Sequence, residues 1–143
     1  MTYQPNVELN IAYTFDFSKE GITGETGTFD MIPELNPLEK GLVIKKVSAL
    51  VTEELIPVDE TTVVEVGNDA DPNGYFEDII TAYPLHSCFE TGFFAGDLLW
   101  DNANDQNLNY YISTDADVVP KITVSTAAMT SGKIKLVFTC MKF

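Results

Sequence analysis

The sequence predicts an all-β protein, an antiparallel β-sandwich of jelly-roll type formed as one domain over residues 1–143. Three observations lead there. Apolar and polar residues alternate strictly near the N-terminus, where Val7, Leu9, Ile11, Tyr13, Phe15 and Phe17 fall on one face of an extended chain. The other apolar runs are short, rich in β-branched residues, and separated by clusters of Gly, Pro, Asn and Asp. No stretch repeats its apolar residues with the period of an amphipathic helix.

The elements follow in order. The first strand covers Val7 to Phe17, and the glycines of the next segment, residues 18–27, break it. Thr28 to Ile32 forms a short strand, stopped by Pro33 and Pro37, which cannot donate to a central ladder. Gly41 to Glu53 is strand-forming but ambiguous in phase. Val43, Lys45, Val47, Ala49 and Val51 are more apolar than the alternate set, so they are placed inward. Pro57 and Asp59 turn the chain into a strand from Thr61 to Val66, which ends at Gly67. Residues 77–100 carry no sustained period, and Asp78 to Tyr83 suits a helical turn or a strand equally. Leu108 to Ser113 reads as a strand. The chain closes with an apparent hairpin: Lys121 to Ser125, a turn at Thr130-Ser131-Gly132, and a last strand from Lys133 to Phe143.

At 143 residues, folding buries roughly two thirds of the surface of the unfolded chain. An apolar content of 45% suffices for a core. The net charge of −14 sets 22 acidic residues against 8 basic ones, all of them lysine. Phosphate neutralisation and base readout need the opposite balance, so no nucleic-acid partner is expected. Acidity of this size favours solubility or a basic partner surface. Two cysteines without CxxC spacing and a single histidine make neither a disulfide framework nor a zinc site. The N-terminus shows no secretory pattern, and no window reaches the ~18 apolar residues of a membrane span. Synthesis and folding in a reducing cytoplasm, with no membrane partner, are the expectation.

Four groups of residues could carry chemistry. Asp69, Asp71 and Asn73, followed by Gly74, place oxygen side chains at alternate positions, like the front half of a calcium loop. The glutamate that would complete an EF-hand is replaced by Ile80 and no helices flank the loop. A different calcium geometry and a plain Asx turn remain as readings, with no other cofactor expected. The acid neighbours Glu53/Glu54 and Asp115/Asp117 fit solvated turns better than a glycosidase pair. His86, Ser87 and Cys88 are consecutive, with no nucleophile elbow and no second histidine. The aromatic stretch with Tyr83, Phe89, Phe93, Phe94 and Trp100 suits core packing or a subunit interface centred on Phe93, Phe94 and Trp100.

One pattern goes beyond composition. Leu38, Gly41, Ile44, Val47, Ala49 and Val51 are followed by Val64-Glu-Val-Gly67 and the run from Asn68 to Phe76. With Tyr111-Ile-Ser-Thr and Ser131 to Phe138, this resembles small virion structural proteins of tailed bacteriophages. The resemblance covers about half the chain and transfers no functional residue. It implies a sandwich or jelly-roll fold and a non-enzymatic role, as capsid decoration or a head-fibre component. It further implies a homo-oligomer, often a trimer, bound to other virion proteins such as the major capsid protein. The location implied is the virion, after synthesis in the bacterial cytoplasm. The rival reading is a carbohydrate- or receptor-binding module of a fibre or tail, with Trp100 beside Asp101, Asn102 and Asn104 as the binding face.

Overall fold

In the computed structural model, the described residues are 7–76, 88–90, 98, 100–101, 106–108, 110–112 and 119–142. They form strands and turns without a helix. The strands are β1 (Val7–Asp16), β2 (Gly27–Asp30), β3 (Ile32–Pro33), β4 (Leu42–Pro57), β5 (Val63–Gly67) and β6 (Cys88–Glu90). They continue with β7 (Trp100–Asp101), β8 (Gln106–Asn107), β9 (Tyr110–Tyr111), β10 (Lys121–Ser125) and β11 (Met129–Lys142).

All the pairings are antiparallel. The large sheet runs β3-β1-β11-β4-β6, with β9 also paired to β4. The small sheet runs β2-β10-β5, and β7 pairs with β8 apart from both. The alternation seen in β1 is real: Ile11, Tyr13 and Phe15 are buried, and Phe17 just past the strand continues the inner face. Opposite them, Val64, Val66, Ile122 and Val124 of the small sheet complete a single hydrophobic cluster. The fold is an antiparallel β-sandwich.

Phe138 lies at the centre of that cluster. Its ring meets Tyr13 edge-on at 5.6 Å and Tyr75 at 5.3 Å, the offset geometry that aromatic quadrupoles favour. The Tyr13 hydroxyl accepts the Leu38 N–H at 2.7 Å, so both the ring and its polar tip are satisfied. Burial raises the Tyr13 pKa, holding the hydroxyl neutral.

Three expectations need correction. The phase of β4 changes within the strand: Val47, Ala49 and Val51 are buried as expected, but Ile44 and Leu42 are buried and Val43 is not. The cause is a β-bulge. Thr139 faces Lys46 and Cys140 faces Ile44, so Lys45 is the extra residue, and both lysines are exposed. The proposed C-terminal hairpin is absent, because β10 and β11 belong to different sheets. The chain crosses between the sheets at Thr126, which has a φ of 69°, and Gly132 lies inside β11. There, φ is 125°, and an added Cβ would lie 2.7 Å from the Glu54 carbonyl oxygen, so this glycine serves a second irregularity against β4. Finally, the strand expected from Thr28 to Ile32 is split at buried Met31, where the chain passes from small to large sheet. Within the run expected from Leu108 to Ser113, the described residues place Tyr110–Tyr111 in β9, while Asp78 to Tyr83 lies outside the described residues.

Candidate functional site

The loop after β5 is built by its neighbours more than by its acids. Gly67 is required because an added Cβ would overlap the carbonyl group of Asp71. Asn68 is buried and anchors the turn: its Oδ1 accepts the Asp71 N–H at 2.9 Å, and its own N–H donates to the Asp71 carbonyl at 3.0 Å. Its Nδ2 donates to the Tyr75 hydroxyl at 3.3 Å. This is an Asx-type arrangement closed by side-chain to backbone bonds. Burial drives the Tyr75 pKa far above the usual tyrosine range.

Of the three residues expected to face a cation, Asp69 makes an ion pair with Lys121 at 3.0 Å. The same ammonium lies 3.1 Å from Asp30. Hydrogen bonding to Asp69, then to Asp30, raises the Lys121 pKa. Asp71 and Asn73 are partly buried, and among the described residues no three His, Cys, Asp or Glu side chains gather as a metal set. Lys121, on β10, therefore ties together β2, β10 and the loop. Nothing near residue 69 in the sequence signals it.

The other candidates are dispersed. Glu53 pairs with Lys133 at 3.2 Å, while Glu54 is exposed beside it on β4. Asp115, Asp117, His86 and Ser87 lie outside the described residues, as do Tyr83, Phe93, Phe94, Asn102 and Asn104. Cys88 and Phe89 belong to β6, and Trp100 belongs to β7, where it faces Asn107 of β8. Cys140 is a buried free thiol whose pKa burial pushes up to about 12.

Two surface features escaped the sequence. A groove of about 560 Å³ is lined by Thr14, Ile22, Ile32, Glu34, Lys133 and Lys135, among others. Two of its three lysines are engaged, Lys133 by Asp16 and Glu53, and Lys135 by Glu34 at 3.3 Å, while Lys19 also lines it. Exposed aliphatic side chains collect along the β3 side of the large sheet, where Ile32 is 54% and Leu35 89% exposed. Ile56 and Val58 form a second exposed pair where β4 ends.

The whole trace can be compared with known structures. One chain of the cyanophage Pam1 capsid asymmetric unit superposes with a TM-score of 0.67 at 13% identity, covering 100% of this chain and 94% of that one. The fold is shared with a phage capsid chain. A chain from the acidic stable capsid structure of Helicobacter pylori bacteriophage KHP30 gives a TM-score of 0.44 at 18% identity, covering 96% of this chain and 93% of that one. No protein-family pattern matches the sequence. No curated protein matches it either.

Proposed function

We propose that this protein is a non-enzymatic structural protein of a tailed-phage virion, a subunit that decorates or stabilises the assembled head. The observation that carries the reading is the end-to-end likeness to a chain of the Pam1 capsid asymmetric unit. The virion resemblance of the 38–76 and 110–143 segments supports it from the sequence side. Strand order supports the jelly-roll form: β1, β11, β4 and β6 lie side by side in one sheet, and β2, β10 and β5 in the other. Early and late strands thus interleave in both sheets, as two nested Greek keys require.

In this reading the subunit binds the closed shell and not its free precursors, so binding energy adds directly to shell stability. A trimer on a local threefold axis would present the same patch three times. The Phe93, Phe94 and Trp100 segment is the proposed aromatic centre of that contact. The net charge of −14 suits a basic patch on the shell.

The test is co-sedimentation of the purified protein with isolated heads of its parent phage, alongside light scattering of the free protein. Saturable binding to assembled heads and a trimeric mass are expected. A strict monomer that ignores both mature and immature heads would overturn the proposal.

A further inference from the structure

We infer that the outer edge of β1 is a strand-accepting site for a basic, extended segment of a partner polypeptide. This inference does not depend on the virion reading. The large sheet ends at β3, and β3 is two residues long, covering only Tyr13 and Thr14 of β1. Just beyond it, the Glu34 N–H donates to the Ala12 carbonyl at 2.9 Å. In an antiparallel strand a residue's N–H and C=O point to the same side, and that side repeats every second residue. The geometry that turns Ala12 toward this edge therefore turns Asn10 and Glu8 toward it as well. Among the described residues neither has a backbone partner there.

The surroundings fit an incoming strand. Val7, at 51% exposure, marks one end of the edge, and Leu35, at 89%, stands beside its middle. Two shallow hollows adjoin it. One, of about 160 Å³, lies between Asn10–Ala12 and Glu34–Asn36. The other, of about 290 Å³, begins at Leu9 and Asn10, passes Pro37 and Glu39, and turns away from the edge to Lys142 of β11 and Leu42 of β4. An added strand would gain ladder hydrogen bonds from Glu8 and Asn10, and would set alternate side chains against Leu35 and Val7. Natural edges are usually blunted by proline, charge or a bulge. Here Pro33 blunts only the part that β3 already covers.

Charge selects the occupant. Glu8 and Glu39 border the edge beside Glu34, which Lys135 already pairs, and Lys142 is the one lysine lining its hollows. A second copy of this chain would bring another −14 to the contact. A lysine- or arginine-bearing strand with alternating apolar residues would not meet that repulsion.

The probe is a labelled octapeptide of alternating lysine and valine, with a glutamate–valine octapeptide as its counterpart. Binding is followed by fluorescence anisotropy, and amide exchange by NMR. The lysine peptide is expected to bind and to slow exchange at Glu8 and Asn10, and both amides are expected to exchange freely in the unbound protein. Asn10→Pro removes an edge donor without touching the ladder to β11, and Leu35→Asp alters only an exposed side chain. Each is expected to weaken binding by about tenfold, the worth of one hydrogen bond or apolar contact. The inference fails if the lysine peptide does not bind, if the glutamate peptide binds as well, or if neither substitution matters. Protected Glu8 and Asn10 amides in the free protein would also overturn it, as would a dimer that Asn10→Pro dissociates.

Discussion

Phe138 fills the space between Tyr13 and Tyr75, so truncating it opens a cavity that neither sheet can close. Phe138→Ala is expected to cost about 3–5 kcal/mol of stability, read by chemical denaturation. Gly132→Ala tests a different constraint, because the new methyl meets the Glu54 carbonyl oxygen and the Leu55 Cα at a φ reserved for glycine. A loss of about 1–3 kcal/mol is expected, against a few tenths at an exposed, unconstrained site. Cys140 gives a pH signature. Its folded pKa, near 12, lies above the ordinary 9.0, so the folded state holds the proton over that interval. The contribution is complete below about pH 9 and is lost progressively as pH rises toward 12. In a Cys88→Ser background, thiol labelling at pH 8 should be slow in the native state and rapid in denaturant.

At the scale of elements, the bulge at Lys45 joins two stretches of β4 that point opposite ways along the sequence count. Deleting Lys45 would remove the extra residue and leave Ile44 opposite Cys140 and Lys46 opposite Thr139, so Leu42 and Ile44 stay inward. The variant is expected to melt close to the parent by circular dichroism, whereas deleting Val47, which has a ladder partner, is expected to lower the melting temperature strongly. Lys121 is the equivalent join for the small sheet. Its ammonium already pairs with both Asp69 and Asp30, so added calcium is expected to leave the melting temperature of the parent unchanged and to raise that of Lys121→Met. Faster amide exchange from Asp69 to Gly74 should accompany the substitution. These two joins also explain what could be read in advance. β1 and β5 were legible because alternation survives intact and one face is buried, in β1 from Ile11 onward. β4 was legible as a strand but not in phase, since an inserted residue leaves no mark in composition. Gly132 looked like a turn because a bulge glycine and a turn glycine need the same freedom. The loop at residue 69 was legible as an Asx turn, whereas its lysine partner comes from a distant strand. The exposed edge was invisible, because which strand lies outermost is a property of topology alone.

For the whole molecule, charge governs association. A body carrying −14 repels its copies and is drawn to a basic surface, both within the Debye length. Binding to heads or to a basic strand should weaken as salt rises from 0.05 to 0.5 M, mainly through a slower on-rate. Surface plasmon resonance across that series checks it, and an affinity indifferent to salt would assign the contact to apolar burial instead. The same series separates a trimer held by aromatic side chains from one held by ion pairs, since only the latter dissociates.

The pairing of β1 with β11 carries a consequence in time. Val7 faces Lys142, and the ten residues of β1 find their long ladder only in the last strand of the fold. A ribosome releases β1 early and β11 last, at about 5–20 residues per second. For seconds, then, β1 waits with its apolar face unmatched, and the two sheets cannot close over Phe138 until β11 arrives. Non-local pairing of this kind makes folding slow and late. Chains stalled before β11 would lack the central strand of the large sheet, so the sandwich would stay open until β11 is in place.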